Sequence, residues 1–384
     1  MSGLRLWQRG ALGAALLGVV VGCAGSASGE LPLADGLGDA DVAVYITQFT
    51  NDATTGGRVL LYDRGGPVSV VSHQGIRVPG LIWDDAGLFF VDQTTDFQLS
   101  DRLERHTRSR EADTLVGMQG GPNGRRVVLF NDGLSEGKNH TGVGVYSGVK
   151  EESQQTLLDS MAESYTACGA MVVAAGRSME PRGYSELVDL VRLSGPKLIG
   201  RRAEGDFLDS AGVPCVGGSV VGLGRQNNDY ISSYPLEIWQ WSVANGSVHR
   251  TTMVTAAGDF VATDELMGLA GMLPQWVVGG NLHWIDASGS AWQSNIKTGM
   301  TKLLRSGLPV VETPANGWIQ HRDWVVQFVD SDGSSSAHLN IYSATDLSLV
   351  ETRELPRLDE LTPDGQMVLA VAVSPDFAPS SAKR

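Results

Sequence analysis

Residues 275–306 read QWVVGGNLHWIDASGSAWQSNIKTGMTKLLRS. Four short runs stand out: Gln275–Gly279, Asn281–Asp286, Ala291–Ile296 and Thr301–Arg305. They are rich in Trp, Val, Ile and Leu, and Gly, Ser and Thr-Gly punctuate them. Runs of this length between such breaks are strands, and the breaks are hairpin turns. The unit is therefore a meander of four antiparallel strands. The next stretch repeats it, with runs at Gly317–Gln320, Arg322–Asp330, His338–Tyr342 and Ser348–Glu354.

The same theme extends in both directions. An apolar run following a turn recurs near Val44, Phe89, Leu129, Val172, Val221, Leu282, Val326 and Leu369, mostly 40–45 residues apart, with one longer gap between Val221 and Leu282. A period of that size built from about four short strands predicts the blades of a β-propeller. The eight landmarks leave the blade number open between seven, the preferred reading, and eight. The ends suggest how the ring closes. Val42–His73 holds about three strands, and Glu360–Val373 holds one or two. Pairing them completes a blade and removes two exposed sheet edges. A pair of β-sandwiches or a β-solenoid is the rival architecture. No stretch shows a helical period over eleven residues, and the best helix candidate is the short polar segment Glu151–Glu163.

Composition agrees with an all-β chain. Gly numbers 48 and charged residues are only 19%, which suits many turns better than long helices. The formal charge of −14 argues against nucleic acid and against anionic lipid headgroups as partners.

The N-terminus carries a different signal. Arg5 and Arg9 precede thirteen uncharged residues, Gly10–Gly22, and the stretch ends in Val20-Val21-Gly22-Cys23. That run is too short for a span of about 20 residues and fits the apolar region of a signal peptide. It resembles a bacterial lipoprotein signal, with Val20 where Leu is commoner. The resemblance implies that residues 1–22 are removed and that Cys23 is acylated. The protein would then sit in the bacterial cell envelope, outside the cytoplasm, with a membrane as one partner. An ordinary secretory signal or a short uncleaved anchor is the alternative. Residues 23–40 read as the lipidated cysteine and a flexible tether, 41–375 as the propeller and 376–384 as a disordered tail.

The repeat around Asn295 resembles bacterial quinoprotein-type propeller repeats, whose motif runs Asp-x-x-Thr-Gly-x-x-x-Trp. Asn295 stands for the Asp, Thr298-Gly299 match, and Leu303 replaces the Trp. The resemblance implies the architecture without a quinone, so no cofactor is expected.

Two cysteines remain, Cys168 and Cys215, at matching places in adjacent repeats. An exported chain meets oxidising conditions, and a bridge needs a Cα separation of about 4.4–6.8 Å. A structural disulfide is the expectation, with two buried thiols as the alternative.

No residue is assigned a catalytic or metal-binding role. The seven histidines lack metal-site spacing, and no Gly-x-Ser-x-Gly elbow occurs. Asp330-Ser331-Asp332-Gly333 resembles the start of a calcium loop but reads first as a hairpin turn. His321 beside Asp323 reads as a surface pair. Asp84, Asp85, Asp92 and Asp286 sit at blade turns, either solvated or converging on the channel. The first functional reading is a membrane-anchored, non-catalytic binding or scaffolding propeller with a protein or glycan partner. The alternative is an exported hydrolase or lyase, carbohydrate- or peptide-directed, with carboxylates at the channel.

Overall fold

The computed structural model describes residues 30–48, 56–108, 111–112, 114–135, 138–151, 156–158, 160–178, 185–190, 197–202, 206–207, 210–225, 233–263, 274–310, 317–330 and 336–383. Cys23 and the signal segment lie outside them, as does most of Asp330–Gly333.

Seven antiparallel sheets form a seven-bladed β-propeller. Blade 6 is the quoted unit: Gln275–Val278, Asn281–Ile285, Ala291–Asn295 and Thr301–Arg305, paired in that order from the inside outward. Blade 7 follows with Trp318–His321, Trp324–Val329, His338–Ser343 and Leu349–Glu354. Blade 2 runs from Leu81–Asp84 to Leu103–Thr107. Blades 3, 4 and 5 begin at Leu115–Gly120, Ser160–Cys168 and Asp206–Phe207.

Blade 1 is made from both ends of the chain. Met367–Val373 is its innermost strand and pairs antiparallel with Val42–Thr47, so that Val42 faces Val373 and Val44 faces Val371. Gly57–Asp63 and Gly66–His73 complete it. This arrangement also explains the count of eight landmarks. Val44 and Leu369 lie on neighbouring strands of one blade, so that blade is counted twice. The long gap between Val221 and Leu282 holds an insertion in blade 5. There Ser233–Pro235 pairs with Val261–Thr263, and Val254–Thr255 pairs with Gly258–Asp259.

Burial follows strand position. The second strand of each blade has neighbouring blades on both faces, so it reads as an unbroken apolar run. Val42–Thr47 and Gly87–Val91 are buried at every residue, whereas the outermost Leu103–Thr107 has none fully buried. The core is correspondingly divided into inter-blade layers. One packs Tyr45, Phe89, Phe90 and Phe130 between blades 1 to 3, and another packs Trp276, Ile285, Val325 and Tyr342 between blades 6 and 7. Arginines latch blades together at their turns. Arg126, fully buried over the Phe89 ring, donates to Asp84 of blade 2 at 2.6 and 2.9 Å. Arg353 of blade 7 pairs with Asp41 at 2.7 Å and donates to the Asp63 carbonyl of blade 1.

Three sequence expectations need correction. The described residues of Glu151–Glu163 are strand, not helix. Thr156–Leu158 is a strand, and Ser160–Cys168 is the innermost strand of blade 4, with Ala162, Ser164 and Thr166 buried at a period of two. Ladder pairing with Met171–Ser178 overrides the weak local preference. The tether does not run to residue 40, because the compact propeller unit begins at Pro32. Ala34 and Ala40 are buried, and the Ala34 N–H donates to the Val70 carbonyl at 2.8 Å. Nor are residues 376–383 a disordered tail. Phe377 is 2% exposed, Ser380–Lys383 forms a short 3-10 helix, and the Ser380 N–H reaches the Glu351 carboxylate. Phe377 and the Arg64 and Glu351 hydrogen bonds together pin the segment to the ring.

Candidate functional site: the central channel

The innermost strands of all seven blades surround the propeller axis and enclose two adjoining cavities of about 340 and 470 Å³. Trp83, Met118, Tyr165, Trp318 and His321 line the first; Thr166, Cys215, Gln275 and Trp276 line the second; Gln119, Gly212, Trp318 and Gln320 border both. Among the described residues no Asp, Glu, Lys or Arg lines either one. The turns at the strand ends set this surface. Gly279-Gly280 in blade 6 and Gly217-Gly218 in blade 5 both have positive φ, near +58° and +78°. That is the type I′ hairpin geometry, which costs a glycine least. It turns the chain from innermost to second strand without placing a side chain in the axis.

The disulfide stands on the channel wall. Cys168 and Cys215 are bonded with their Cα atoms 5.4 Å apart, joining the innermost strands of blades 4 and 5. The positions differ by one residue: Cys168 pairs with Met171 directly across its turn, whereas Cys215 pairs with Val220, one step behind the turn-flanking Val216.

The turn aspartates do not gather in the channel. Asp92 is 2% exposed and accepts the N–H groups of Thr94, Thr95 and Gln74 at 2.6–3.0 Å. Asp286 accepts from the N–H groups of Ser288 and Ser290 and from the Trp292 indole at 2.8 Å. Asp84 is held by Arg126. Each carboxylate closes a turn by bonding the backbone two to four residues on. Asn295 does the same for Lys297 and Thr298, and Gly299 follows with φ +73°. A Cβ at Gly299 would lie 1.9 Å from the Thr252 carbonyl of blade 5. Asn295 and Thr298-Gly299 therefore do the geometric work of the Asp-x-x-Thr-Gly pattern, while Leu303, in place of the Trp, is half exposed.

His321 does not pair with Asp323. Its ring packs edge-on against Phe377. Burial lowers its pKa, and the neighbouring Arg322 lowers it further, so the ring facing the channel is neutral. Two other histidines are buried between blades. His73 is pushed down to about 3 and His283 to about 4, in both cases chiefly by burial. Among the described residues no cluster of three or more His, Cys, Asp or Glu could hold a metal ion.

Near blades 1 and 2 an open bowl of about 1600 Å³ is bordered by Asp35, Asp39, Asp63, Asp85, Asp101 and Asp376. It concentrates part of the negative charge on one side of the ring.

Sequence reasoning did not find the channel wall. Trp83, Tyr165 and Trp318 stand on the first strand of their blades, and aligning the blades on that strand instead of the second would have shown them together.

No protein-family model matches the chain, and no curated protein matches it. Solved structures are similar in chain course. Cobalt-substituted ACO from Synechocystis aligns with a TM-score of 0.49 and 10% identity, over 87% of this chain and 92% of that one. The Pan2 WD40 domain of Neurospora crassa gives 0.43 and 10%, over 80% and 84%. BamB from Moraxella catarrhalis gives 0.42 and 10%, over 71% and 74%. Nothing about their ligands carries over.

Proposed function

We propose that the chain is a non-catalytic binding or scaffolding propeller, exported and held at a membrane surface through an acylated Cys23. The observation that supports binding over catalysis is that, among the described residues, no charged side chain lines the channel. Glycoside hydrolysis commonly needs two carboxyl groups about 5–9.5 Å apart, and the carboxylates once placed near the axis are instead committed to turns and latches. The anchoring half of the reading rests on Gly10–Cys23. No helix among the described residues is long and apolar enough to cross a membrane, so retention would come from acyl chains. One chain binds only marginally, and stable attachment takes more than one.

Two experiments test the halves separately. Mass spectrometry of the mature N-terminus should find acyl chains on Cys23, and Cys23→Ser should abolish both acylation and cleavage after Gly22; an unmodified Cys23 in the wild-type protein sinks the anchor. Purified protein incubated with chromogenic glycosides and with a peptide library should release no product above background. Turnover lost on substitution of channel residues would favour the hydrolase reading instead.

A further inference from the structure

We propose that the central channel binds an uncharged saccharide. The inference rests on the binding reading above and names its ligand class. Three features of the wall point the same way. The first is that the described lining residues carry no formal charge in a chain that carries −14 overall. A carboxylate or ammonium ligand entering there would lose water and meet no counter-charge. The second is aromatic surface. Trp83, Tyr165 and Trp318 are each only half buried, so part of each remains open. The Tyr165 ring lies where a Cβ on Gly117 would come within 2.2 Å of it, and glycine is what admits the ring there. Aromatic faces accept the C–H face of a pyranose.

The third feature is amide chemistry. Gln119 and Gln320 border both cavities, and Gln320 is exposed. Gln275 accepts the Leu223 N–H at 2.9 Å through its Oε1, which fixes the amide's orientation. Its Nε2 is buried behind the wall, so the amide open to a ligand is that of Gln320. An amide donates and accepts, and a hydroxyl does both as well. A purely apolar ligand would desolvate the Gln320 amide without pairing it. Aromatic faces with neutral amides therefore select a ligand that is apolar on its faces, hydroxylated at its edge and uncharged. The two cavities lie within the range of small-molecule sites, about 300–1,000 Å³.

Tryptophan fluorescence and calorimetric titration of the purified full-length protein test this with N-acetylglucosamine and maltotriose, and with glucosamine and glucuronate as charged counterparts. The neutral sugars should bind saturably, and the charged ones about tenfold or more weaker. Trp318→Ala should weaken binding by about tenfold or more, and Gln320→Leu, at an exposed position, should weaken it with the fold intact. The inference is overturned by absence of saturable binding up to about 50 mM, by equal binding of charged sugars, or by undiminished binding in folded Gln320→Leu. Mass spectrometry of the recovered sugar separates the two proposals. Sugar returned unchanged supports both, whereas converted sugar keeps the channel site and removes the non-catalytic reading.

Discussion

In blade 6 the innermost strand runs unbroken from Gln275 to Val278 and pairs along its length with Asn281–Ile285. In blade 5 the corresponding strand is in pieces. Asp206–Phe207 and Cys215–Val216 pair with opposite ends of Ser219–Arg225, while Ser210–Ala211 between them leaves the blade and pairs in parallel with Ser160–Cys168 of blade 4. Both blades make the same glycine turn at the axis, so the divergence arises upstream of it. Where the ladder is continuous, hydrogen bonds and the packing of Trp276 and Trp284 hold the inner strand. Where it is interrupted, the Cys168–Cys215 bond and the bridge to blade 4 stand in for it. Blade 1 is a third case, in which the inner strand arrives from the far end of the chain and is held by the ladder to Val42–Thr47 together with the Arg353 latch.

The sharpest way to break this comparison is to remove the closing strand. A chain truncated after Pro356 should lose its cooperative unfolding transition and aggregate, because Val42–Thr47 and the flanking blades are left with open edges. A soluble, cooperatively unfolding truncation, measured by circular dichroism and denaturant titration, would show that closure is dispensable.

The disulfide comes next. Cys168→Ser with Cys215→Ser should lower stability by about 3–4 kcal/mol in the chain-entropy account of a loop of this length. The sequence separation is 47 residues. Loss should fall on blades 4 and 5 first, seen as faster amide exchange there than in blade 6. Equal protection in both blades would mean that the bridge to blade 4 alone holds the broken strand.

A pH titration separates the blades in another way. His73 and His283 are held neutral by burial, with pKa values of about 3 and 4. The unfolded chain takes up a proton near the ordinary value of about 6.5. Between those limits the unfolded state binds more protons, so stability is fully present above about pH 6.5 and falls as the pH drops toward 4 and 3. His73→Phe should flatten the curve through blade 1, and His283→Phe through blade 6. An unchanged slope in both variants would locate the acid sensitivity elsewhere.

The smallest effect is expected at Gly299. An added Cβ meets the Thr252 carbonyl and imposes a positive φ on alanine. Gly299→Ala should cost about 1–3 kcal/mol by urea denaturation, and less than 0.5 kcal/mol, roughly, would show that the turn yields without disturbing blade 5.

The regular blades were legible in the sequence because their turns and strands obey local rules. The four runs of residues 275–306 agree with the observed strands to within a residue, since Gly279-Gly280, Asp286 and Asn295 each specify a turn on their own. Ring closure was legible because the two ends held complementary fractions of a blade. Blade 5 was not. Its broken strand depends on a partner in blade 4, and its insertion lengthened the period without a local signal. The channel wall was missed for a related reason. Trp83, Tyr165 and Trp318 are far apart in sequence and meet only through the sevenfold arrangement. The fate of the turn aspartates was half legible, because the residue type announces a turn but not whether its carboxylate is buried.

The closing blade has a consequence in time. Met367–Val373 is synthesised some 320 residues after the strand it pairs with, Val42–Thr47. At about 5–20 residues per second, that strand waits some tens of seconds with a bare edge while every other blade is already complete. Propeller assembly is thus gated by chain completion. If the chain crosses a membrane on the way, the half-finished ring must be shielded until its last strand arrives, so a holding chaperone on the far side would be more important to this protein's yield than the stability of the finished ring.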